Sequence, residues 1–195
     1  QPAFRVVCTP ELLPQLALGR LLTEGWITAA DEVERVAVCA QGLKISVQLR
    51  HPLAAAEQAG QAVPSACTDN LTLASPVQLP PLAPVPQREI PAAWVDALAD
   101  AMGQGLPLYR ATHAVHSCLL LRAGKILYRC EDLGRHNALD KAVGCALTEG
   151  VPLAECVLFT SGRVPVVMVR KSMPTVQSLE LAEEYVLKLF IRQKK

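Results

Sequence analysis

Glu131-Asp132-Leu133-Gly134-Arg135-His136-Asn137-Ala138-Leu139-Asp140-Lys141 is the densest polar run in the chain, and its flanks decide the fold. Upstream, Ser117 to Arg122 and Ile126 to Cys130 are short runs rich in apolar residues with Gly124 between them, which predicts two strands and a turn. Downstream, apolar residues recur at helical spacing from about Asn137 to Leu147. The polar run therefore lies between the end of a strand and the start of a helix, where α/β proteins bind ligands. Gly134 lets the backbone turn, and Asn137 is placed to cap the helix. Arg135 and His136 add donors beside a helix N-terminus that already favours anions, which suits a phosphate-bearing ligand. On spacing alone the same residues read equally well as a capped helix with a solvated loop.

A second junction of this kind follows. Cys156 to Thr160 predicts a strand and Val164 to Lys171 a helix, with Thr160-Ser161-Gly162-Arg163 as the turn. This turn offers a hydroxyl, a glycine for close backbone approach and a guanidinium for bidentate anion contact. Small polar residues before a helix are ordinary capping chemistry, so the weight rests on the pair of loops, which on one sheet edge would cradle one nucleotide. Strands alternating with helices predict an α/β sandwich. The helix ending at Lys171 runs almost directly into another near Thr175, where a parallel sheet would return a strand.

Toward the N-terminus, Thr9 is placed to cap a helix whose first position is Pro10, with Leu12, Leu13, Leu16, Ala17 and Leu21 on one side and Gly25 past its end. Val33 to Val38 and Leu43 to Arg50 predict a hairpin around Gln41-Gly42 with one wet face. From His51 through Pro91 stand eight of the fifteen prolines, so neither helical nor strand periodicity persists and the stretch reads as a linker or loop. Pro91 restarts order with a helix through Met102, whose Trp94, Val95, Leu98 and Met102 share a face. Gly19 and Gly144, inside predicted helices, imply close helix packing.

Seven cysteines at irregular spacing predict reduced thiols, and six of them fall in or beside predicted elements. Cys67, in Ser65-Ala66-Cys67-Thr68-Asp69-Asn70, stands in the proline-rich segment, where its thiolate would be exposed for nucleophilic chemistry. His113, His116, Cys118 and Cys130 match no zinc spacing, so no metal site is expected. With 19 basic and 18 acidic side chains the net charge is +1, giving no global field for nucleic acid or anionic membrane. No apolar run is long enough to span a membrane and no leader pattern opens the chain, so a cytoplasmic location is expected.

The run 131–141 resembles the EDxGRHNAxDK signature of the FdhD formate dehydrogenase accessory family. The similarity extends to Thr160-Ser161-Gly162-Arg163, to Met168-Val169-Arg170-Lys171, to Leu16-Ala17-Leu18-Gly19 and to Thr23-Glu24-Gly25. It implies an α/β fold: a cytidine-deaminase-like three-layer α/β/α domain over 91–195, a smaller α+β N-terminal domain over 1–63, and a flexible proline-rich loop over 64–90 carrying Cys67. It further implies a sulfurtransferase that takes persulfide sulfur from a cysteine desulfurase onto Cys67. The sulfur would pass to the molybdenum bis-guanine-dinucleotide cofactor destined for formate dehydrogenase, and the protein would be a homodimer.

Carried over on the matching motifs, the cofactor-binding residues implied are His113, Glu131, Asp132, Arg135, His136, Asn137, Asp140, Lys141, Ser161, Gly162 and Arg163. The C-terminal Phe190, Ile191, Arg192, Gln193, Lys194 and Lys195 resemble a strand and basic tail near the cofactor, and a GDP-like nucleotide would mimic the ligand. Three departures stand out. The family's loop Cys-x-x-Cys is here Cys67 alone, its Thr-Gly-Gly before a motif histidine is here Ala111-Thr112-His113, and a helix end and strand are missing between Lys171 and Ser172. The alternative reading is a guanine-nucleotide or molybdenum-cofactor chaperone without sulfur chemistry. A zinc deaminase would need His-x-Glu and Pro-Cys-x-x-Cys, and neither occurs.

Overall fold

The computed structural model of the protein describes residues 5–51, 62 and 63, 90–164 and 168. In chain order its elements are β1 (Arg5–Val6), α1 (Leu13–Thr23), β2 (Val33–Val38), β3 (Ile45–Leu49), β4 (Ala62–Val63), α2 (Ala92–Gly103), α3 (Pro107–Thr112), β5 (His116–Arg122), β6 (Lys125–Asp132), α4 (Arg135–Thr148) and β7 (Cys156–Thr160).

The organising sheet has the order β6-β5-β7, and β5 is antiparallel to both neighbours. Its centre is the run Cys118-Leu119-Leu120-Leu121, all fully buried, as a strand covered on both faces requires. Ala123 and Gly124, with φ of 48° and 78°, close the β5–β6 hairpin as a two-residue turn. Because β6 and β7 each oppose β5, they run in the same direction, and α4 is a crossover that skips one strand. The parallel sheet expected from strand and helix alternation is thus corrected: within this sheet no neighbouring pair is parallel. The ends of β6 and β7 still lie at one sheet edge, so the two junction loops come together.

Alternate residues of β5 serve different cores. Cys118 and Leu120 join Leu21, Leu22, Ile27, Ala138, Ala142 and Val143 from the α1 and α4 side. Leu119 and Leu121 join Ile90, Leu98 and Leu106, with Trp94 and Val95 of α2 packed against them. The predicted apolar face of α2 is this contact. The hairpin is present, with Val38 opposite Ile45 and Val36 opposite Val47, although β3 begins two residues later than predicted.

Helix α1 corrects one expectation and meets another. It starts at Leu13 instead of Pro10, and Leu12 precedes it with a left-handed backbone (φ 54°). Thr9 does not cap it, because that side chain is engaged by Asp132 and Lys141. At the other end Gly25 (φ 73°) donates to the Leu22 carbonyl at 3.0 Å and Trp26 to the Leu21 carbonyl at 2.8 Å, the Schellman arrangement that a glycine stop anticipates. Helix α3 has no counterpart in the sequence reading, being only one and a half turns long and short of a periodic signal. The predicted helix from Val164 to Lys171 lies almost wholly outside the described residues, within which Met168 is helical and buried.

α1 crosses α4 at two glycines. A Cβ at Gly19 would overlap the Asp140 carbonyl oxygen and lie 2.7 Å from its carbon, and one at Gly144 would overlap the Gln15 carbonyl oxygen and lie 2.6 Å from its carbon. Backbone would meet backbone there, so a methyl group cannot be absorbed by a rotamer change. Gly144→Ala is accordingly expected to lower stability by about 1–3 kcal/mol despite alanine's better helix propensity, read as a lower thermal midpoint. An unchanged or raised midpoint would contradict the crossing.

Candidate functional site

The signature run divides into an interior part and an exposed part. β6 ends at Asp132 and α4 begins at Arg135, with Gly134 as its N-cap residue. Asn137 is thus inside the first turn and is not the cap expected from its type. Its amide donates to Asp132 Oδ1 at 2.8 Å and to the Val7 carbonyl at 2.9 Å. Asp132 Oδ1 also accepts the Gly134 N–H at 3.0 Å, which holds the loop in its turn.

Asp132 and Lys141, both fully buried, form an ion pair of 2.7 Å. Lys141 Nζ spends its other donors on Thr9 Oγ1 at 2.6 Å and the Glu131 carbonyl at 3.1 Å. Burial of such a pair is tolerated because every proton of the ammonium has an acceptor. Asp140, also fully buried, accepts the Thr23 hydroxyl at 2.7 Å and faces Arg20 at 3.8 Å. Glu131 accepts the backbone N–H groups of Leu108 at 2.8 Å and Tyr109 at 2.7 Å, anchoring the start of α3. Of the ligand contacts expected from the resemblance, Asp132, Asn137, Asp140 and Lys141 are therefore placed inside the fold, where they tie Val7–Thr9 and α1 to the junction, and Glu131 holds α3. Residue type alone does not separate a buried polar framework from a ligand cradle.

Arg135, Gly162 and His116 occupy the junction itself. A Cβ at Gly162 would lie 3.0 Å from Arg135 Cβ, 3.1 Å from Arg135 Cδ and 3.3 Å from His116 Nδ1. The two loops meet there, and the lack of a side chain at Gly162 permits their close approach. Ser161 docks its loop against β5, its hydroxyl accepting the Ser117 N–H at 2.9 Å and its own N–H reaching the Ser117 carbonyl at 3.0 Å. Ser161 and Arg163 are exposed, and His136 is half-buried. Burial, reinforced by the Arg135 charge, lowers the pKa of His116, so its imidazole is neutral near pH 7. Arg135 and the N-terminus of α4 supply positive potential at this point, and the neutral imidazole adds a hydrogen-bonding group.

His116, which the family resemblance did not single out, lies at the loops. His113 ends α3 with φ 52°, a left-handed conformation that favours glycine.

The six described cysteines form no disulfide. Cys118, Cys130, Cys145 and Cys156 are buried, as packing residues would be. Burial pushes the Cys118 thiol up to about 12 and that of Cys156 to about 11. Cys130 shares a hydrogen bond with Cys145 that holds its own thiol protonated. Cys8 is raised by burial and then by Asp132. Cys39, at the β2–β3 turn, has a lowered pKa: desolvation acts upward, but the backbone N–H groups of residues 41–44 together outweigh it. Cys67 and Phe190 to Lys195 lie outside the described residues. Among the described residues no group of three or more potential metal ligands occurs, and no helix is long and apolar enough to cross a membrane.

Comparison with known proteins accords with this layout. Residues 1–184 match the family model described as FdhD/NarQ family. The sulfur carrier protein FdhD of Bacillus subtilis is 30% identical over 195 residues, covering 92% of this chain and 74% of that protein. The Nocardia farcinica protein of the same name is 32% identical over 201 residues, covering 90% and 72%. A crystal structure of a formate dehydrogenase accessory protein from Desulfotalea psychrophila superposes with a TM-score of 0.65 at 26% identity, covering 89% of this chain and 68% of that one.

Proposed function

Since the chain belongs to the FdhD/NarQ family, we propose that it is a sulfur carrier serving formate dehydrogenase, with Cys67 as the sulfur-bearing residue and the Arg135–Gly162–His116 junction as the binding site for its nucleotide-bearing client. The observation that carries this reading is the meeting of two strand-to-helix loops at one sheet edge, spaced by a glycine whose Cβ would fill the gap. The names of the relatives point the same way.

The covalent step follows thiol chemistry. The Cys67 thiolate attacks the terminal sulfur of a persulfide on a cysteine desulfurase, the sulfur–sulfur bond of the donor breaks, and the donor's cysteine leaves as thiolate. Cys67 then carries a persulfide; a two-electron reductant such as two small-molecule thiols, which leave as a disulfide, would release its terminal sulfur as sulfide to the molybdenum bis-guanine-dinucleotide client and return Cys67 as the thiolate. The phosphates of that client, or of GDP as a mimic, would lie against Arg135 and the α4 N-terminus, with exposed Ser161 and Arg163 and half-buried His136 at the rim and the basic segment from Phe190 to Lys195 alongside. The interior set Asp132, Asn137, Asp140 and Lys141 positions the loop without touching ligand. In this reading the protein is a cytoplasmic homodimer, and carrier and sulfurtransferase describe one role. Apolar clusters on both faces of the β6-β5-β7 sheet support a cytidine-deaminase-like three-layer domain over 91–195 behind the segments 1–63 and 64–90.

Removal of one charged donor is the test of the binding site. Arg135→Ala or Arg163→Ala is expected to weaken GDP binding by about 1.5–3 kcal/mol, roughly ten- to a hundred-fold in Kd by isothermal titration. Affinity unchanged in both variants would place the nucleotide elsewhere.

A further inference from the structure

Short helix α3 sits beside the cradle. Glu131, at the end of β6, holds its first turn through the Leu108 and Tyr109 N–H groups. Its other end, His113, leads within three residues to His116 at the junction, no more than about 10 Å along an extended chain. Both attachments lie on the sheet edge where the two loops meet. α3 is therefore pinned at the rim of the anion cradle.

α3 carries an exposed aromatic ring. The rings of Tyr109 and His113 stand edge to face, with centroids 5.1 Å apart and planes at 75°. Such a contact fixes the attitude of the tyrosine ring in advance, lowering the entropic cost of ordering it around a ligand. Tyr109 is 40% exposed, and Leu133, two residues beyond Glu131 and two before Arg135, is 42% exposed. Among the described residues the other exposed large apolar side chains, Val7, Leu12, Val38 and Leu43, belong to the N-terminal segment and the hairpin. Flat apolar surface next to a cationic cradle suits a ligand that is anionic at one end and a planar heterocycle at the other.

We propose that Tyr109, set by the ring of His113, stacks the base of a nucleotide whose phosphates occupy the Arg135–Gly162 cradle, with Leu133 as a second apolar contact. This rests on the nucleotide reading of the cradle and assigns the base to a definite place. Stacking on an aromatic face discriminates weakly between bases, so α3 supplies affinity for a planar ring and leaves base identity to other groups.

Titrations of the full chain with GDP and with pyrophosphate separate the two levels. Tyr109→Ala is expected to weaken GDP roughly ten-fold or more while leaving pyrophosphate affinity unchanged, and Tyr109→Phe, which keeps the ring, is expected to retain GDP. GDP affinity unaffected by Tyr109→Ala, or GDP and pyrophosphate weakened equally, would overturn the stacking role and leave the cradle standing. Wild-type protein that binds neither ligand would remove the cradle reading, and the stacking role with it.

Discussion

Cys67→Ala is expected to reduce formate dehydrogenase activation to background in cells that depend on this protein, while GDP affinity stays within two-fold of wild type. The acceptor of a persulfide sulfur must be a thiolate, and no methyl group can substitute for it. Four of the six described thiols are raised and offer no replacement. Burial holds Cys118 and Cys156 protonated, with thiols near 12 and 11, and Cys130 is held by its bond to Cys145. Cys39 is the informative control, because backbone N–H groups lower its pKa at the hairpin turn. Cys39→Ala is expected to retain full activation, which assigns the loss to Cys67 and not to thiolate character in general. If Cys67→Ala activates the enzyme normally and binds GDP, the chain is a cofactor chaperone and not a sulfur carrier.

The largest effect on stability is expected from Lys141→Met. Lys141 is fully buried, its ammonium divided among Asp132, Thr9 and the Glu131 carbonyl. Removing it leaves the Asp132 carboxylate uncompensated in the interior, at a cost of about 3–5 kcal/mol. Most of a typical domain's stability would be lost. In urea denaturation the midpoint of the variant is expected to collapse, and a second substitution, Asp132→Asn, is expected to restore part of it by removing the stranded charge. If the double variant is no more stable than Lys141→Met, the two side chains do not compensate one another. The same ion pair explains why the signature is rich in charge although little of it meets solvent: Thr9 and Val7 reach the strand-to-helix junction from the N-terminal segment through Asp132, Lys141 and Asn137.

Legibility followed periodicity. β5, β6, β7 and α2 each carry a long, regular apolar signal, and their positions were read to within a residue or two. The glycines at 19 and 144 announced the α1–α4 crossing because helix interiors seldom accept glycine without cause. What failed were features set by tertiary contacts. Thr9 and Asn137 have the residue type of helix caps, but partners a hundred or more positions away claimed both side chains. Strand adjacency was not legible, because a helix between two strands does not say whether a third strand stands between them. The site was half legible: both loops were found, whereas the inward direction of Asp132, Asp140 and Lys141 and the presence of His116 depend on register and backbone conformation. The left-handed φ of 52° at His113 ends α3, and His116, three residues on, packs against Gly162 at the junction.

Mass spectrometry of the intact chain after incubation with a cysteine desulfurase and cysteine tests the central claim most directly. The account predicts a reductant-sensitive gain of the mass of one sulfur atom, mapped by peptide analysis to Cys67 and missing from the Cys67→Ala variant. No adduct on Cys67 in protein that still binds GDP would contradict it.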